Sequence, residues 1–266
     1  AEMSNILNWN EFLYPYKQAV DELVLKFQAM IDEYKLLGFY SPMESVTGRV
    51  KKSYSILEKA ERKRIPDDKI EELIEDIAGI RILCQFVDDI HKVVDLIRAR
   101  NGIDLKIAEE RDYITNTKPS GYRSYHIIIK YPLMTAEGYK EVLAEIQIRT
   151  LAMNFWATAE HSLKYKHNGM LPKELQNRLI RSAEAAFRLD MEMGTIRDDI
   201  MDAQRIDERR ENLVISIIDN IKRLYISDKI EDANALDNEF IKAMEGGDLM
   251  KMEDFNDRLM EKLESV

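Results

Sequence analysis

The chain has 266 residues, of which 45% are hydrophobic and 33% charged, with ten glycines, six prolines and a formal net charge of −10. That balance supplies a packed core and suits one extended domain or two small ones, rich in helix. It argues against a general nucleic-acid binder, a lone cysteine excludes an internal disulfide, and no apolar run approaches the ~20 residues of a membrane helix.

Residues 1–9 lack a basic leader followed by an apolar core, so a cytoplasmic protein is expected. Cys84 lies in the apolar run Ile80 to Phe86 and reads as a small core residue. Charge is unevenly spread. From Arg49 to Arg64 there are seven Lys/Arg against two Asp/Glu, whereas residues 201–266 hold ten against seventeen. A basic patch inside an acidic chain points to a small polyanion such as a nucleotide.

Apolar residues at three- and four-residue spacing (Phe12, Tyr16, Val20, Leu23, Phe27, Met30, Tyr34) predict a helix over 9–37, stopped near Gly38. Ser41-Pro42 with Glu44 predicts a second helix running to about Arg64, with Val46, Val50 and Leu57 on one face and Lys51, Ser55, Lys59 and Arg62 on the other. Pro66-Asp67-Asp68 breaks it before a short helix ending near Glu75. The middle turns β-like: strands are predicted at 77–86, 105–111, 122–131 and 139–149, with a helix over 88–100 and a polar loop over 114–121. Helical spacing resumes after Leu151 to about Lys166. Asn168-Gly169 and Pro172 interrupt it, and a long helix is expected over 173–205. This is an α+β arrangement, a sheet of about four strands flanked by helices. Residues 207–265 keep helical spacing (Leu213, Ile217, Ile221, Leu224; Leu236, Phe240, Met244; Phe255, Leu259, Leu263), so two or three ordered helices are expected there. Such short helices need a surface for their apolar stripes: the body of the protein, a neighbouring subunit or a partner. The expected division is 1–206 and 207–266.

Four segments hold residues suited to chemistry. In Glu145-Ile-Gln-Ile-Arg149, alternation puts Glu145, Gln147 and Arg149 on one strand face. The face reads either as ordinary half-solvated strand or as a metal acid, a base-reading amide and a cation. In Asp76-Ile-Ala-Gly-Ile-Arg81, Asp76 is either a turn acid or, with Glu145, one of two oxygen ligands for Mg²⁺; Arg81 suits stacking or a carboxylate. In Lys118-Pro-Ser-Gly-Tyr-Arg-Ser-Tyr-His126, Gly121 permits close backbone approach, Tyr122 offers a flat face, and Lys118 and Arg123 suit phosphate. Tyr122 and His126 are equally open to a packing role. The basic run from Arg49 is either a solvated face or part of the same site. No phosphate-binding glycine loop ending in Gly-Lys-Ser/Thr, no Rossmann glycine fingerprint and no Cys/His metal spacing is present in the sequence.

Taken together and in order, Thr47-Gly-Arg-Val-Lys51, Asp76-Ile-Ala-Gly-Ile-Arg81, Gly121-Tyr-Arg-Ser-Tyr-His126 and Glu145-Ile-Gln-Ile-Arg-Thr150 running into Asn154-Phe-Trp-Ala-Thr-Ala-Glu-His161 resemble the synthetase domain of the RelA/SpoT family. The resemblance spans roughly residues 9–205 and is nearest the stand-alone small alarmone synthetases of the RelQ type. It implies a nucleotidyltransferase-like fold with a mixed five-stranded sheet. The implied reaction moves the β,γ-pyrophosphate of ATP to the 3′-hydroxyl of GTP or GDP, making pppGpp or ppGpp and AMP. It implies Asp76 and Glu145 as Mg²⁺ carboxylates, with Glu145 also helping to deprotonate the 3′-hydroxyl. Arg49 and Arg81 would sandwich adenine, and Lys51, Ser55 and Lys59 would meet the ATP phosphates. Tyr122 would stack on guanine with Asn154 reading its edge. Lys118, His126 and Gln147 would line the acceptor site, and Arg111 would touch its phosphates. It further implies a homotetramer whose central cleft binds pppGpp as an activator. Ser45 stands where such relatives usually place phenylalanine, so weak activation is expected. No His-Asp pair precedes the basic run, so no hydrolase activity is expected. The alternative is a regulator that binds guanine nucleotides or single-stranded RNA with little catalysis. The resemblance says nothing of residues 207–266.

Overall fold

The computed structural model describes residues 8–166, 171–227 and 233–264. The helix break read at Asn168-Gly169 lies outside the described residues, as do residues 1–7 and His167. The chain forms two compact units, 1–194 and 195–266.

The first unit is built on five strands: β1 (Ser45–Val50), β2 (Ala78–Cys84), β3 (Lys106–Asp112), β4 (Tyr125–Thr135) and β5 (Gly138–Thr150). Their spatial order is β1-β2-β5-β4-β3, with β2 and β5 parallel and the other pairs antiparallel. The register sorts side chains into two faces. Gly48, Ile80, Ile146 and Ile127 form one row, and Val50, Ala78, Ala144 and Ile129 the next, all on the apolar face. On the opposite face Thr47, Arg81, Gln147, His126 and Arg111 cross all five strands in one row. A sheet with one apolar and one polar face is what period-2 alternation produces.

Helix α1 (Trp9–Leu36) buries Tyr16, Ala19, Val20, Leu23, Phe27 and Ile31, and α4 (Val87–Arg98) buries Ile90, Val93, Val94 and Ile97. Both join the strand isoleucines in one core, where each such side chain contributes about 1.5–3 kcal/mol. Cys84 is fully buried there. Asn8 caps α1 by accepting from the Asn10 and Glu11 amides. Gly48 is dictated by packing: a Cβ would lie 2.5 Å from Val20 Cγ1 and 2.7 Å from Val24 Cγ2.

One predicted element is corrected. Residues 45–50 are strand, and the helix that follows, α2 (Ser53–Lys63), begins only after Lys52. Val46 and Val50, four residues apart, share a face in either conformation, so their spacing carried no decision. The antiparallel pairing with β2 made it. Short α3 (Ile70–Leu73) follows, and α5 (Leu151–Lys166) leaves β5 directly. The long helix is also longer than predicted: α6 runs unbroken from Lys173 to Ile226.

In the second unit α7 (Ala233–Met244) and α8 (Leu249–Glu264) complete a cluster with the end of α6. Ile217 and Leu224 pack with Leu236, Ala243, Met252, Phe255 and Leu259. The apolar stripes of residues 213–224 and 236–263 thus cover one another. Inside this unit Asn220 donates to Asn256 Oδ1 at 2.9 Å, and both side chains are buried.

Candidate active site

The polar sheet face carries a cleft of about 220 Å³ whose lining includes Arg49, Asp76, Gly79, Arg81, Glu145 and Gln147. Register explains the convergence. Gly79 lies between Arg49 on β1 and Glu145 on β5; lacking a side chain, it leaves the space that the two neighbours face. Arg81 is the diagonal neighbour of Arg49 across the β1–β2 ladder, within reach of a long side chain. Arg81 Nε is buried without a hydrogen-bond partner among the described residues. Burial first, then the charges of Arg149 and Arg49, press its guanidinium below the ordinary arginine value.

Asp76 precedes β2 and is gripped from two sides, by Lys51 Nζ at 2.8 Å from Oδ2 and Lys59 Nζ at 2.8 Å from Oδ1. Burial pushes its carboxyl up, but the two ammoniums outweigh this and hold it below the usual aspartate value. Lys51 lies at the end of β1, outside the helix that holds Ser55 and Lys59, and the two lysines still meet on one carboxylate. Ser55 is in the first turn of α2, which has no side-chain cap, and its amide donates to the Lys52 carbonyl at 2.9 Å.

Glu145 is half-buried and is also held ionised. Burial raises its carboxyl; His126 and Gln147 outweigh that, while the charge of Asp76 opposes them. His126 Nδ1 lies 2.9 Å from Glu145 Oε1, and Gln147 Nε2 donates to Glu145 Oε2 at 2.8 Å.

Beyond His126 lies an aromatic corner. His126 Nε2 is 2.9 Å from the Tyr122 hydroxyl. The rings of Tyr113, Tyr122 and His126 meet edge to face at 5.2–6.3 Å. Lys118 Nζ sits 4.1 Å from the Tyr113 ring centre and 5.0 Å from that of Tyr122; burial first, then Arg111 and Arg149, lower its pKa against the pull of Glu145. Gly121 sets the corner's backbone: its φ is +85°, and a Cβ would lie 2.7 Å from Ala183 Cβ on α6.

The other expected residues are placed differently. Arg123 turns away from the cleft: it pairs with Glu184 at 2.8 Å and lies over the Phe187 ring at 4.4 Å, both on α6. It is a packing residue. Arg111, at the end of the polar row, is held in a two-pronged pair by Glu75 at 2.8 Å and bonds Glu109 as well. Asn154, on α5, keeps a buried Oδ1 with no partner among the described residues. Sequence reasoning did not single out Tyr113, Glu75 or Ser124. Nothing local marks them, because each acts through a partner distant in the chain.

Among the described residues no group of three or more His, Cys, Asp and Glu stands together. The carboxylates of the cleft, Asp76 and Glu145, nevertheless suit Mg²⁺. They are oxygen donors held ionised, and this cation commonly takes one or two carboxylates and completes its shell with water and phosphate.

A five-stranded mixed sheet with a cation-lined carboxylate cleft defines a phosphate-handling α+β fold, and comparisons with known proteins agree. Residues 48–170 match the region found in RelA / SpoT proteins. The chain is 53% identical over 203 residues to the GTP pyrophosphokinase YjbM of Bacillus subtilis, covering 76% of this chain and 95% of that protein. With YwaC, a GTP pyrophosphokinase of the same organism, identity is 42% over 195 residues, covering 73% and 92%. The crystal structure of small alarmone synthetase 1 from B. subtilis bound to its product pppGpp superposes with a TM-score of 0.70 at 55% identity, over 72% of this chain and 97% of that one. A GTP pyrophosphokinase family protein from Streptococcus pneumoniae does so with a TM-score of 0.70 at 53% identity, over 74% and 97%. The chain belongs to the RelA/SpoT family, among its small alarmone synthetases.

Proposed function

We propose that this chain is a GTP pyrophosphokinase, carrying the β,γ-pyrophosphate of ATP to the 3′-hydroxyl of GTP or GDP and releasing AMP with pppGpp or ppGpp. One observation carries the reading: two ionised carboxylates, Asp76 and Glu145, line one cleft, and His126 joins the second of them to an aromatic corner built on Tyr122.

On this reading the donor side is the β1–β2–α2 edge. Arg49 and Arg81 hold adenine between planar guanidiniums, and Lys51, Ser55 and Lys59 take the phosphates. The acceptor side is the aromatic corner. Tyr122 stacks on guanine, the open acceptor of Asn154 reads the base edge, and Lys118, Gln147 and Arg111 bind the ribose and phosphates. Glu145, fixed by His126 and Gln147, accepts the proton of the attacking hydroxyl. Asp76 and Glu145 would hold Mg²⁺, which when bound neutralises charge on the transferring phosphates. Positioning and charge neutralisation are what pyrophosphate transfer demands of a protein, and this face supplies both. The protein acts in the cytoplasm as a homotetramer in this proposal, and residues 207–266 serve assembly rather than chemistry. Among the described residues no helix is long and apolar enough to cross a membrane.

The deciding experiment is incubation with ATP, GTP and Mg²⁺ followed by separation of the nucleotides. Formation of pppGpp and AMP in equal amounts supports the reading. Guanine-nucleotide or RNA binding with no product would replace it by a binding role.

A further inference from the structure

Arg149 sets its guanidinium behind Tyr122 and Gln147. It is near the end of β5, is only 5% exposed, and lies 5.1 Å from the Tyr122 ring centre. A buried guanidinium is costly unless its donors are satisfied, and here they go to neutral groups on two segments. Nε donates to Ser124 Oγ at 3.2 Å, and one terminal nitrogen donates to Gln147 Oε1 at 2.7 Å and to the Tyr122 hydroxyl.

These bonds close a ring. An arginine can only donate. The Tyr122 hydroxyl therefore accepts from Arg149, and it lies 2.9 Å from His126 Nε2. The ionised Glu145 carboxylate can only accept, so His126 Nδ1 donates to it at 2.9 Å. On the other arm, Gln147 must point Oε1 at the guanidinium, which turns its Nε2 to Glu145 at 2.8 Å. Both arms start at one cation and end as donors on one carboxylate. We infer that Arg149 is a positioning residue that anchors both arms of this ring, and so fixes the Tyr122 ring and the Glu145 carboxylate together for the acceptor nucleotide. Without it the Tyr122 hydroxyl and Gln147 Oε1 both lose their buried donor, and the two arms are free to shift. The inference rests on the acceptor-site reading above.

The test is the Michaelis constant of the full-length protein for each substrate. Arg149→Gln should raise the acceptor constant by about tenfold or more, the worth of a hydrogen bond to a charged group, with the ATP constant nearly unchanged. Arg149→Lys, a single-point donor able to serve one arm at a time, should fall between. A folded Arg149→Gln with the acceptor constant unaltered overturns the inference, as does an equal rise in both constants. If that variant does not fold, Tyr122→Phe, which cuts one arm, must raise the acceptor constant selectively; an unchanged constant again overturns it. If the unaltered protein makes no product, equilibrium binding of GTP replaces the Michaelis constant: weaker GTP binding by Arg149→Gln keeps the ring, and only the synthetase reading falls.

Discussion

His126 and Glu145 occupy diagonal positions on neighbouring strands, with Nδ1 of the first 2.9 Å from Oε1 of the second. The contact joins the aromatic corner to the carboxylate cleft. The Tyr122 hydroxyl and the Glu145 carboxylate are therefore held through one buried side chain.

Glu145→Gln and Asp76→Asn are each expected to lower synthesis by at least about a hundredfold, the low end of what a positioned acid or base contributes, with the fold retained. Asp76→Asn should also lower the melting temperature, because Lys51 and Lys59 then face each other without a counter-charge. Product assays with circular dichroism check both. Near-normal turnover in a folded variant would remove the assignment.

Tyr122→Ala should act on one substrate. A base stacked on an aromatic ring gains about 1–3 kcal/mol, so the acceptor Michaelis constant should rise by about five- to a hundredfold while that of ATP stays close to its starting value. Equal losses for both would make Tyr122 a packing residue.

Asp190 on α6 gives a pH dependence of stability. Its carboxylate is buried and accepts from Thr150 Oγ1 at 2.6 Å, while the same hydroxyl caps α5 by accepting from the Met153 amide. Burial, partly opposed by the Thr150 bond, raises its pKa from 3.8 to about 6. Between those values the folded chain binds a proton that the unfolded chain has released, so stability falls as pH rises through this window. Asp190→Asn keeps the acceptor for Thr150 and removes the buried charge. It should melt a few degrees higher than the unaltered protein at pH 8, with the gap closing toward pH 4. A gap independent of pH would contradict this.

The helical tail should tolerate removal at one place and not at another. Residues from Leu213 onward form their own apolar cluster, so a chain ending at Arg205 cuts α6 before that cluster and should keep synthesis. A chain ending at Ser227 keeps Ile217, Ile221 and Leu224 but loses α7 and α8, and exposes them. Aggregation of the second chain and solubility of the first, by size-exclusion chromatography, is the expected pair of results.

Light scattering is expected to give the mass of a tetramer at micromolar concentration, with pppGpp stimulating synthesis only weakly because Ser45 provides no ring to stack on a base. A monomer, or strong stimulation, would contradict the respective half.

The α+β class, four of the strands, most helices and the four chemical segments were legible in the amino-acid sequence, because each rests on local periodicity. Glu145, Gln147 and Arg149 share a face in any strand, and the stripe from Phe12 to Phe27 shares a face in any helix. The conformation of residues 45–50 was not legible, since Val46 and Val50 fit both periods and only pairing with β2 separates them. The site's connections were hidden for a related reason. Lys51 and Lys59 on Asp76, Glu75 on Arg111, and His126 between Tyr122 and Glu145 are contacts between segments that only the assembled fold brings together. Arg123 shows the limit from the other side: a cation beside Tyr122 in sequence, it turns away from the cleft and packs onto α6. Local sequence determines which face a side chain joins; which other chain segment that face meets is decided by sheet order and helix packing, where burial of the apolar face outweighs any local preference.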